Sequence, residues 1–395
     1  MRISAEWLDD PAVAQVFALF SGGGYQIFAV GGCVRNAAMG LPVADVDFAT
    51  DARPKDVMAL AHSAGIRPLP TGIDHGTVTL LIDGQSFEVT TFRLDVETDG
   101  RHAVIAFADD MATDAARRDF TINALYVDVD GMVHDPMRGL ADIRTRAIRF
   151  IGDGRARIAE DALRILRFFR FYACYGDPAA GPDADGLSAC AAGADLLAGL
   201  SAERVGAEMR KLLAAADPAP AVGTMAIAGI LHRILPGADA AMLAAMIDQE
   251  TRQAPPLPPD WRRRLAALGG EGAETSLCLS RAETRHIAAI RTALTAGEPV
   301  EVAAYRHGAD VAVSAQMIID ATGGGSRAAG VQGRAAFGAA QVFPITAHDL
   351  MPPHVPGPVL GAALKRLEAA WIAAGFSMPD GALEAARLDA ETGPQ

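Results

Sequence analysis

The sequence predicts an α+β fold, with a small mixed or antiparallel sheet in the first 150 residues and helices in the rest. Short β-branched segments mark the first 150 residues and fade further on, and glycine-containing turns separate several of them. From about residue 155, Ala, Leu and Arg recur with helical spacing. Because the strands are close together in the sequence, part of the sheet must be antiparallel, unlike a doubly wound fold.

Five short segments carry the strand signal, at residues 25–30, 77–82, 87–92, 125–129 and 132–133. The first ends at Gly31-Gly32, where a sharp turn is expected. Asp83-Gly84 and Asp130-Gly131 each separate two of the other segments, and Asp-Gly between β-type runs is typical of a hairpin. We therefore expect two hairpins in addition to the first strand.

Glycine-rich and proline-rich stretches divide the helical remainder. These breaks lie at residues 176–186, 255–259 and 323–325. No internal repeat is present. We expect four segments, namely a head (1–150), a neck (151–215), a body (216–330) and a tail (331–395).

Composition excludes several classes of protein. Half of the 395 residues are apolar and 21% are charged, which is globular composition. No apolar run approaches the roughly 18 residues of a membrane span, and Glu6, Asp9 and Asp10 follow Arg2 too closely for a signal peptide. The four cysteines form no CxxC pair, which fits a reducing, cytoplasmic location. A net charge of −13 disfavours coating nucleic acid through bulk charge.

A first group of candidate site residues follows the first strand. Gly31 and Gly32 allow close backbone approach to a ligand, and the N–H groups of the next helix suit phosphate. Asp45 and Asp47, two residues apart, present two hard oxygen ligands suited to Mg²⁺. The two glycines alone would fit an ordinary turn, and the two aspartates alone would fit a solvent-facing segment. Their occurrence together within 17 residues favours a nucleotide site. Glu88 is either a third carboxylate there or an outward-facing strand residue.

A second group is basic. Consecutive Arg117 and Arg118 can hold phosphate or ribose through their planar guanidinium groups. Further on, eight arginines and three acidic residues lie between positions 144 and 170. Asp161 and Arg164 are expected to be i,i+3 neighbours on one helix, with Arg167 and Arg170 on a short spiral. The alternative is a solvated helix face with an ion pair. Residues 135–143 are expected to have a structural role.

These residues together resemble the class II tRNA nucleotidyltransferases, or CCA-adding enzymes, and the related bacterial poly(A) polymerases. Four blocks match in order: GGCVR with DVD (31–47), RRDFTINA (117–124), DPMRGLADI (135–143) and EDALRILR (160–167). A later helix, residues 201–212, matches too. The resemblance is close over residues 25–213, weak through the middle of the helical half, and returns faintly at 345–350 and 357–361.

The resemblance implies roles for most of the candidate residues. Asp45 and Asp47 would bind Mg²⁺, and Glu88 stays the candidate third carboxylate described above. The nucleotide would contact Gly31, Gly32, Arg35, Arg118, Asp161, Arg164, Arg167 and Arg170. ATP, CTP and the tRNA acceptor end would be the partners, with base recognition in the neck and tRNA binding in the tail. No motif indicates an oligomeric state.

One residue departs from the family pattern. Asn36 stands where the family usually has Asp after Val-Arg. An aspartate there would hold Arg35, whereas an amide can still accept a hydrogen bond but carries no charge.

Three functions fit the blocks: full CCA addition, poly(A) or A-only addition, and a non-catalytic RNA-binding or nucleotide-binding protein. Residues 71–78 resemble the corresponding segment of CCA-adding enzymes, without the Arg/Lys-rich run of poly(A) polymerases. Residues 98–102 resemble the flexible loop of full CCA adders. The intact Asp45 and Asp47 pair argues against a non-catalytic protein. CCA addition is therefore the expected function.

Overall fold

The computed structural model describes residues 1–99, 102–323, 330–350 and 357–392. The chain forms two compact units, one of residues 1–241 and 269–279, the other of residues 242–268 and 280–395. Within the described residues every strand lies before position 135, and helices dominate the remainder. The predicted α+β fold is confirmed.

The strands form one mixed sheet and one separate hairpin. They are β1 (Ile27–Val30), β2 (Asp47–Thr50), β3 (Arg67–Leu69), β4 (Thr77–Ile82), β5 (Gln85–Thr91), β6 (Arg93–Asp99), β7 (His102–Phe107), β8 (Tyr126–Val127) and β9 (Val133–His134). The sheet order is β3-β4-β5-β2-β1-β8-β9, and β6 pairs only with β7. Only β2 and β5 are parallel among the pairs of this sheet in the described residues.

Both predicted hairpins are present. β4 and β5 are joined at Asp83 and Gly84, which both have positive φ, as a two-residue turn that matches the strand twist requires. The second hairpin, β8–β9, is shorter than predicted. Of the flexible loop predicted at residues 98–102, Gly100 and Arg101 lie outside the described residues.

The helices follow in chain order: α1 (Pro11–Gly22), α2 (Gly32–Met39), α3 (Pro54–Ser63), α4 (Met111–Ala116), α5 (Gly139–Thr145), α6 (Gly154–Glu160), α7 (Leu163–Tyr175), α8 (Ala184–Ala192), α9 (Ala202–Leu213), α10 (Ala219–Ile227), α11 (Ile230–Ile234), α12 (Ala240–Arg252), α13 (Trp261–Leu268), α14 (Ala273–Ser276), α15 (Arg281–Ala296), α16 (Val300–His307), α17 (Ala309–Ala321), α18 (Val331–Ala339), α19 (Gly357–Ala373) and α20 (Ala382–Thr392). The predicted breaks at 176–186 and 255–259 separate α7 from α8 and α12 from α13. The third break lies largely outside the described residues.

The segment 135–143 has the structural role that was predicted. The Asp135 carboxylate accepts hydrogen bonds from the backbone N–H groups of Gly139 (2.7 Å) and Leu140 (3.0 Å) at the start of α5. These N–H groups have no partner within the helix, so the carboxylate satisfies them. The turn before α5 is thereby held in place.

Helix α7 separates a buried face from a basic one. Ile165, Phe168 and Phe169 are buried, and the ring of Phe168 stacks on that of Phe150 at 5.6 Å between centroids. Arginines at every third position follow the other side of the helix. This amphipathic pattern buries the apolar residues of α7, which packs against α9, and places the arginines at the site described below.

The second unit has its own buried core. In α19, Leu360, Ala363 and Leu367 pack together with Leu350, and Trp371 is 3% exposed among aromatic rings. A charged group is also buried in this unit. The Glu250 carboxylate, 1% exposed, accepts hydrogen bonds from the guanidinium groups of its two neighbours on α13, Arg263 and Arg264.

None of the helices in the described residues combines the length and apolar character that a membrane span needs. Cys33, Cys174, Cys190 and Cys278 are all free thiols.

Candidate active site

One cavity of about 530 Å³ in the first unit brings together ten of the eleven predicted site residues. They are Gly31, Gly32, Arg35, Asp47, Glu88, Arg118, Asp161, Arg164, Arg167 and Arg170. The exception, Asp45, precedes β2 in an irregular segment and does not line the cavity. The cavity therefore has carboxylates on strands β2 and β5, and three of the seven arginines that line it are on α7.

A glycine turn forms one wall of the cavity. Gly31 has φ of 76°, a conformation that side chains other than glycine rarely adopt. A Cβ atom there would lie 3.5 Å from the guanidinium of Arg118 and 3.6 Å from the carbonyl oxygen of Asn123. The turn leads from β1 directly into α2, which begins at Gly32, so backbone N–H groups border the cavity.

Strand register places the carboxylates side by side. Asp47 pairs with Val30 on β1, and Phe48 pairs with Val89 on the parallel strand β5, so Asp47 and Glu88 lie at the same level of adjacent strands. Both side chains are exposed to the cavity. Glu88 lines the cavity, which agrees with the interpretation that places it at the site.

The negative charges of Asp47, Glu88 and Asp45 repel one another. Desolvation by the surrounding protein atoms, together with the nearby charges of Glu88 and Asp45, raises the pKa of Asp47 to about 6, against the lowering effect of Arg118. Desolvation has the largest effect on this pKa, and the two neighbouring carboxylates add to it. A cation would relieve this repulsion.

The residues fit a divalent metal ion of the Mg²⁺ type. Their donors are hard carboxylate oxygens, which such ions prefer, and their repulsion favours a positive charge between them. Among the described residues, no group of three or more His, Cys, Asp or Glu side chains is arranged to hold a metal by itself. A two-carboxylate site of this kind leaves coordination positions for phosphate oxygens and water.

Three arginines of α7 also line the cavity, and each is held by a carboxylate. Arg167 donates to Asp119, with its Nη2 at 2.5 Å from Oδ2, and Arg170 donates to Glu208 through Nε at 2.6 Å. Asp119 and Glu208 are both buried. Because these acids fix the arginine side chains, the cavity offers its positive charges in defined positions.

The predicted arrangement of Asp161 and Arg164 on one helix is wrong. Asp161 has φ of −154° and ψ of 106° and lies between α6 and α7, where its carboxylate accepts from the backbone N–H of Leu163 at 3.1 Å. The aspartate caps a new helix, which is why the chain breaks there. Asp161 pairs with Arg204 at 2.7 Å and Arg164 with Glu160 at 2.5 Å, so the alternative of an i,i+3 ion pair is also wrong.

Arg35 is held from several sides. Its guanidinium donates to the side-chain oxygens of Asn36, Asn123 and Tyr175, and lies 4.0 Å from the centre of the Tyr175 ring. The cation–π contact and the hydrogen bonds together restrict the orientation of this buried arginine. The prediction that an amide at position 36 can still hold Arg35 is confirmed.

A buried carboxylate supports the two arginines of the RRDFTINA block. Asp114, 1% exposed, accepts from Arg117 (2.8 Å), Arg118 (2.9 Å) and the hydroxyl of Tyr126 (2.7 Å). Burial alone would raise the pKa of Asp114, but the two guanidinium groups and the tyrosine outweigh it and lower this pKa to about 2.

Replacement of this carboxylate is expected to change the acid stability of the protein. A carboxyl group with a lowered pKa stabilises the fold above its unfolded pKa of about 3.9 and loses that effect as the pH falls towards 2. Asp114→Asn should therefore be destabilised at pH 6 by about 2 kcal/mol, and the difference should shrink towards pH 3. Urea unfolding at several pH values measures this. A difference that is constant across this range would contradict the assignment.

Several residues that line the cavity or hold its arginines were not among those predicted from the sequence. Asp119 and Asn123 lie within the RRDFTINA block, and Arg204 and Glu208 lie within the later matching helix, so their motifs contained the signal. Arg93, which follows β5, lines the cavity and donates to the carbonyl oxygen of His75, and no sequence pattern singled it out.

Comparisons with known proteins agree with this architecture. Residues 27–149 match the family described as Poly A polymerase head domain, and residues 183–242 match the probable RNA and SrmB-binding site of polymerase A. The mitochondrial CCA tRNA nucleotidyltransferase 1 of Mus musculus is 44% identical over 196 residues, 49% of this chain and 45% of that protein. The CCA-adding enzyme of Geobacillus thermodenitrificans is 41% identical over 216 residues, 54% of this chain and 52% of that protein. The chain thus matches about half the length of these curated relatives.

Solved structures extend the likeness to the whole chain. The Bacillus stearothermophilus CCA-adding enzyme in complex with CTP superimposes with a TM-score of 0.76 at 27% identity, covering 97% of this chain and 98% of that one. A Thermotoga maritima CCA-adding enzyme complexed with tRNA shares the fold, with a TM-score of 0.68 at 15% identity over 98% of both chains. Residues 27–149 are thus similar to the poly(A) polymerase head domain, and the chain as a whole is similar in fold to CCA-adding enzymes.

Proposed function

We propose that the chain is a template-independent nucleotidyltransferase that adds C, C and A to the 3′ end of tRNA from CTP and ATP. The observation that carries the proposal is that one cavity is lined by the carboxylates of Asp47, Glu88 and Asp161 together with arginines fixed by ion pairs. Its likeness to CCA-adding enzymes over both sequence and fold supports the choice of reaction.

The carboxylates would serve the reacting end of the nucleotide. Asp45 and Asp47 would hold Mg²⁺, which when bound neutralises triphosphate charge and activates a hydroxyl group. Glu88, beside Asp47, would accept a proton from the attacking 3′-hydroxyl or help to orient it. Backbone N–H groups at Gly31 and Gly32 and the guanidinium of Arg118 would hold phosphate oxygens in line with the attacking group.

Asp161 and Arg164 would select the base of the incoming nucleotide. The Asp161 carboxylate would accept from the exocyclic amine of C or A, and Arg164 would donate to the adjacent ring nitrogen. G and U present a carbonyl oxygen where that amine would be, so two acceptors would face each other. Arg204, paired with Asp161, would fix the orientation of that carboxylate. Arg167 and Arg170 would bind phosphate or base from α7.

Replacing the selecting carboxylate is expected to relax base choice. In Asp161→Asn, the amide can donate to the carbonyl of U, so discrimination between CTP and UTP should fall by roughly tenfold to a hundredfold. Single-turnover incorporation of each nucleotide measures the ratio. The matched control is Asp185→Asn on α8, which does not line the cavity and should leave the ratio unchanged. An unaltered ratio in Asp161→Asn would argue against its role in base recognition.

The reaction itself is tested with tRNA that ends at the discriminator base. The purified chain is incubated with Mg²⁺ and CTP alone, ATP alone, or both, and the products are resolved at single-nucleotide length. Two additions with CTP and a third only with ATP present are expected. A long ladder with ATP alone would indicate poly(A) synthesis instead. No extension, with measurable tRNA binding, would indicate a non-catalytic RNA-binding protein.

The remaining assignments belong to the same proposal. The head (1–150) would catalyse, the neck (151–215) would recognise the base, the body (216–330) would connect, and the tail (331–395) would bind tRNA through shape and backbone contacts. A cytoplasmic location is supported by the four free thiols, which suit a reducing compartment.

A further inference from the structure

The side chain of Asn36 joins two parts of the site that are separate in the fold. Its oxygen Oδ1 accepts hydrogen bonds from Nε (3.1 Å) and Nη2 (2.9 Å) of Arg35, at the first turns of α2. Its nitrogen Nδ2 donates to the backbone carbonyl of Pro42 at 2.7 Å, in the segment after the helix. One amide thus contacts both a buried guanidinium of the cavity and the chain that leads to β2.

The chemistry of the two partners fixes which way the amide points. A guanidinium can only donate and a proline carbonyl can only accept, so Oδ1 must face Arg35 and Nδ2 must face Pro42. A carboxylate at this position would satisfy the arginine but would set a second acceptor against the carbonyl of Pro42. The amide is therefore the side chain that satisfies both sides.

The segment tied by Asn36 carries one of the candidate metal ligands. Residues 41–46 have no regular secondary structure and connect α2 to β2, with Asp45 two residues before Asp47. The backbone of Asn36 holds the same segment, since its carbonyl accepts from the N–H of Leu41 at 2.8 Å. Backbone and side chain together fix the first two residues of the segment.

We propose that Asn36 is a positioning residue that couples the nucleotide-contacting Arg35 to segment 41–46 and so sets the position of the Asp45 carboxylate relative to Asp47. The proposal rests on the proposed function for the roles of Arg35 and Asp45. The family's usual aspartate would keep the contact with the arginine and lose the tie to the segment. Asn36 thus makes two contacts, of which an aspartate could make only the one with Arg35.

Two substitutions separate these tasks. Asn36→Asp keeps an acceptor for Arg35 and removes the donor to Pro42, whereas Asn36→Ala removes both. Hydrogen exchange of the peptide covering residues 41–46, measured without metal or nucleotide, should be faster by about threefold to tenfold in both variants. In the extension assay, the half-saturating concentration of Mg²⁺ should rise by a similar factor in both variants. The Michaelis constant for CTP should rise in Asn36→Ala and stay within about twofold in Asn36→Asp.

Asn123→Ala is the matched control, because Asn123 also holds Arg35 but does not contact the segment. It should raise the Michaelis constant for CTP and leave exchange of residues 41–46 unchanged. Wild-type exchange of that segment in Asn36→Asp overturns the proposal, as does a Michaelis constant that rises equally in both Asn36 variants. A wild-type chain that extends no tRNA contradicts the proposed function, and the exchange measurement still tests the tie to Pro42.

Discussion

Asp47→Asn should reduce nucleotide incorporation by roughly a thousandfold, which corresponds to about 4 kcal/mol of transition-state stabilisation. Asp47 lies between Val30 and Glu88 at the carboxylate side of the cavity, and an amide of the same shape removes its negative charge. Single-turnover extension of tRNA with saturating CTP measures the loss. Binding of tRNA should persist, because the variant changes one small region of the cavity.

The same variant should fold at least as well as the wild type. Because the pKa of Asp47 is raised to about 6, the folded protein holds this proton more tightly than the unfolded chain, whose aspartates titrate near 3.9. Wild-type stability from this group therefore declines as the pH rises from about 4 through 6, and Asp47→Asn does not share that decline. At pH 7.5 without metal, its melting temperature should equal or exceed that of the wild type.

A surface aspartate provides the control for this experiment. Asp109 is 88% exposed by side chain and pairs with Arg53, an ion pair that solvent largely screens. Asp109→Asn should retain wild-type incorporation and melting temperature. If Asp47→Asn also retains wild-type incorporation, its carboxylate has no part in the reaction.

Glu250→Ala should destabilise the second unit by about 3–5 kcal/mol, because it leaves two buried guanidinium groups without their shared carboxylate. Glu250 accepts from Arg263 at 2.7 Å and from Arg264 at 2.8 Å, and all three side chains are at most 7% exposed. The loss comes mainly from uncompensated buried charge and not from the worth of the ion pairs themselves.

Tryptophan fluorescence reports this unit directly. Trp261 and Trp371 belong to it, and the third tryptophan, Trp7, belongs to the first unit and can be replaced by Phe in a common background. Urea unfolding in that background should move to lower concentration for Glu250→Ala. Asp248→Ala, which breaks the exposed pair with Arg252 on the same helix, should have little effect. Equal midpoints for the two variants would refute the assignment of Glu250 as a buried counter-ion.

Much of the fold was predictable because the signals were local. The hairpin at Asp83-Gly84 needs only two residues that adopt positive φ. The Asp-Gly pair indicates such a turn, and both residues have positive φ in the structure. Helix α7 likewise follows from apolar residues at helical spacing. A prediction failed where a side chain ended a helix that the spacing of apolar residues had extended. At Asp161, the carboxylate caps a new helix and interrupts the expected one.

The candidate site was predictable as a set of residues but not as a set of partners. The motifs named ten of the residues that line the cavity. They did not indicate that Arg35 donates to Tyr175, 140 positions away, or that Arg170 is held by Glu208. Such contacts depend on which helices pack together, and periodicity within one segment carries no information about that.

The sequence by itself determined five of the strands, the turns between them and the residue types that line the cavity, because these depend on backbone preference and short-range spacing. The tertiary structure decided which charges pair, and it added strands β2, β3, β6 and β7, which were not predicted. Packing brought Asp161 to Arg204 and Glu250 between two arginines. The free energy of a buried polar group depends on its partner, and long-range packing supplies that partner.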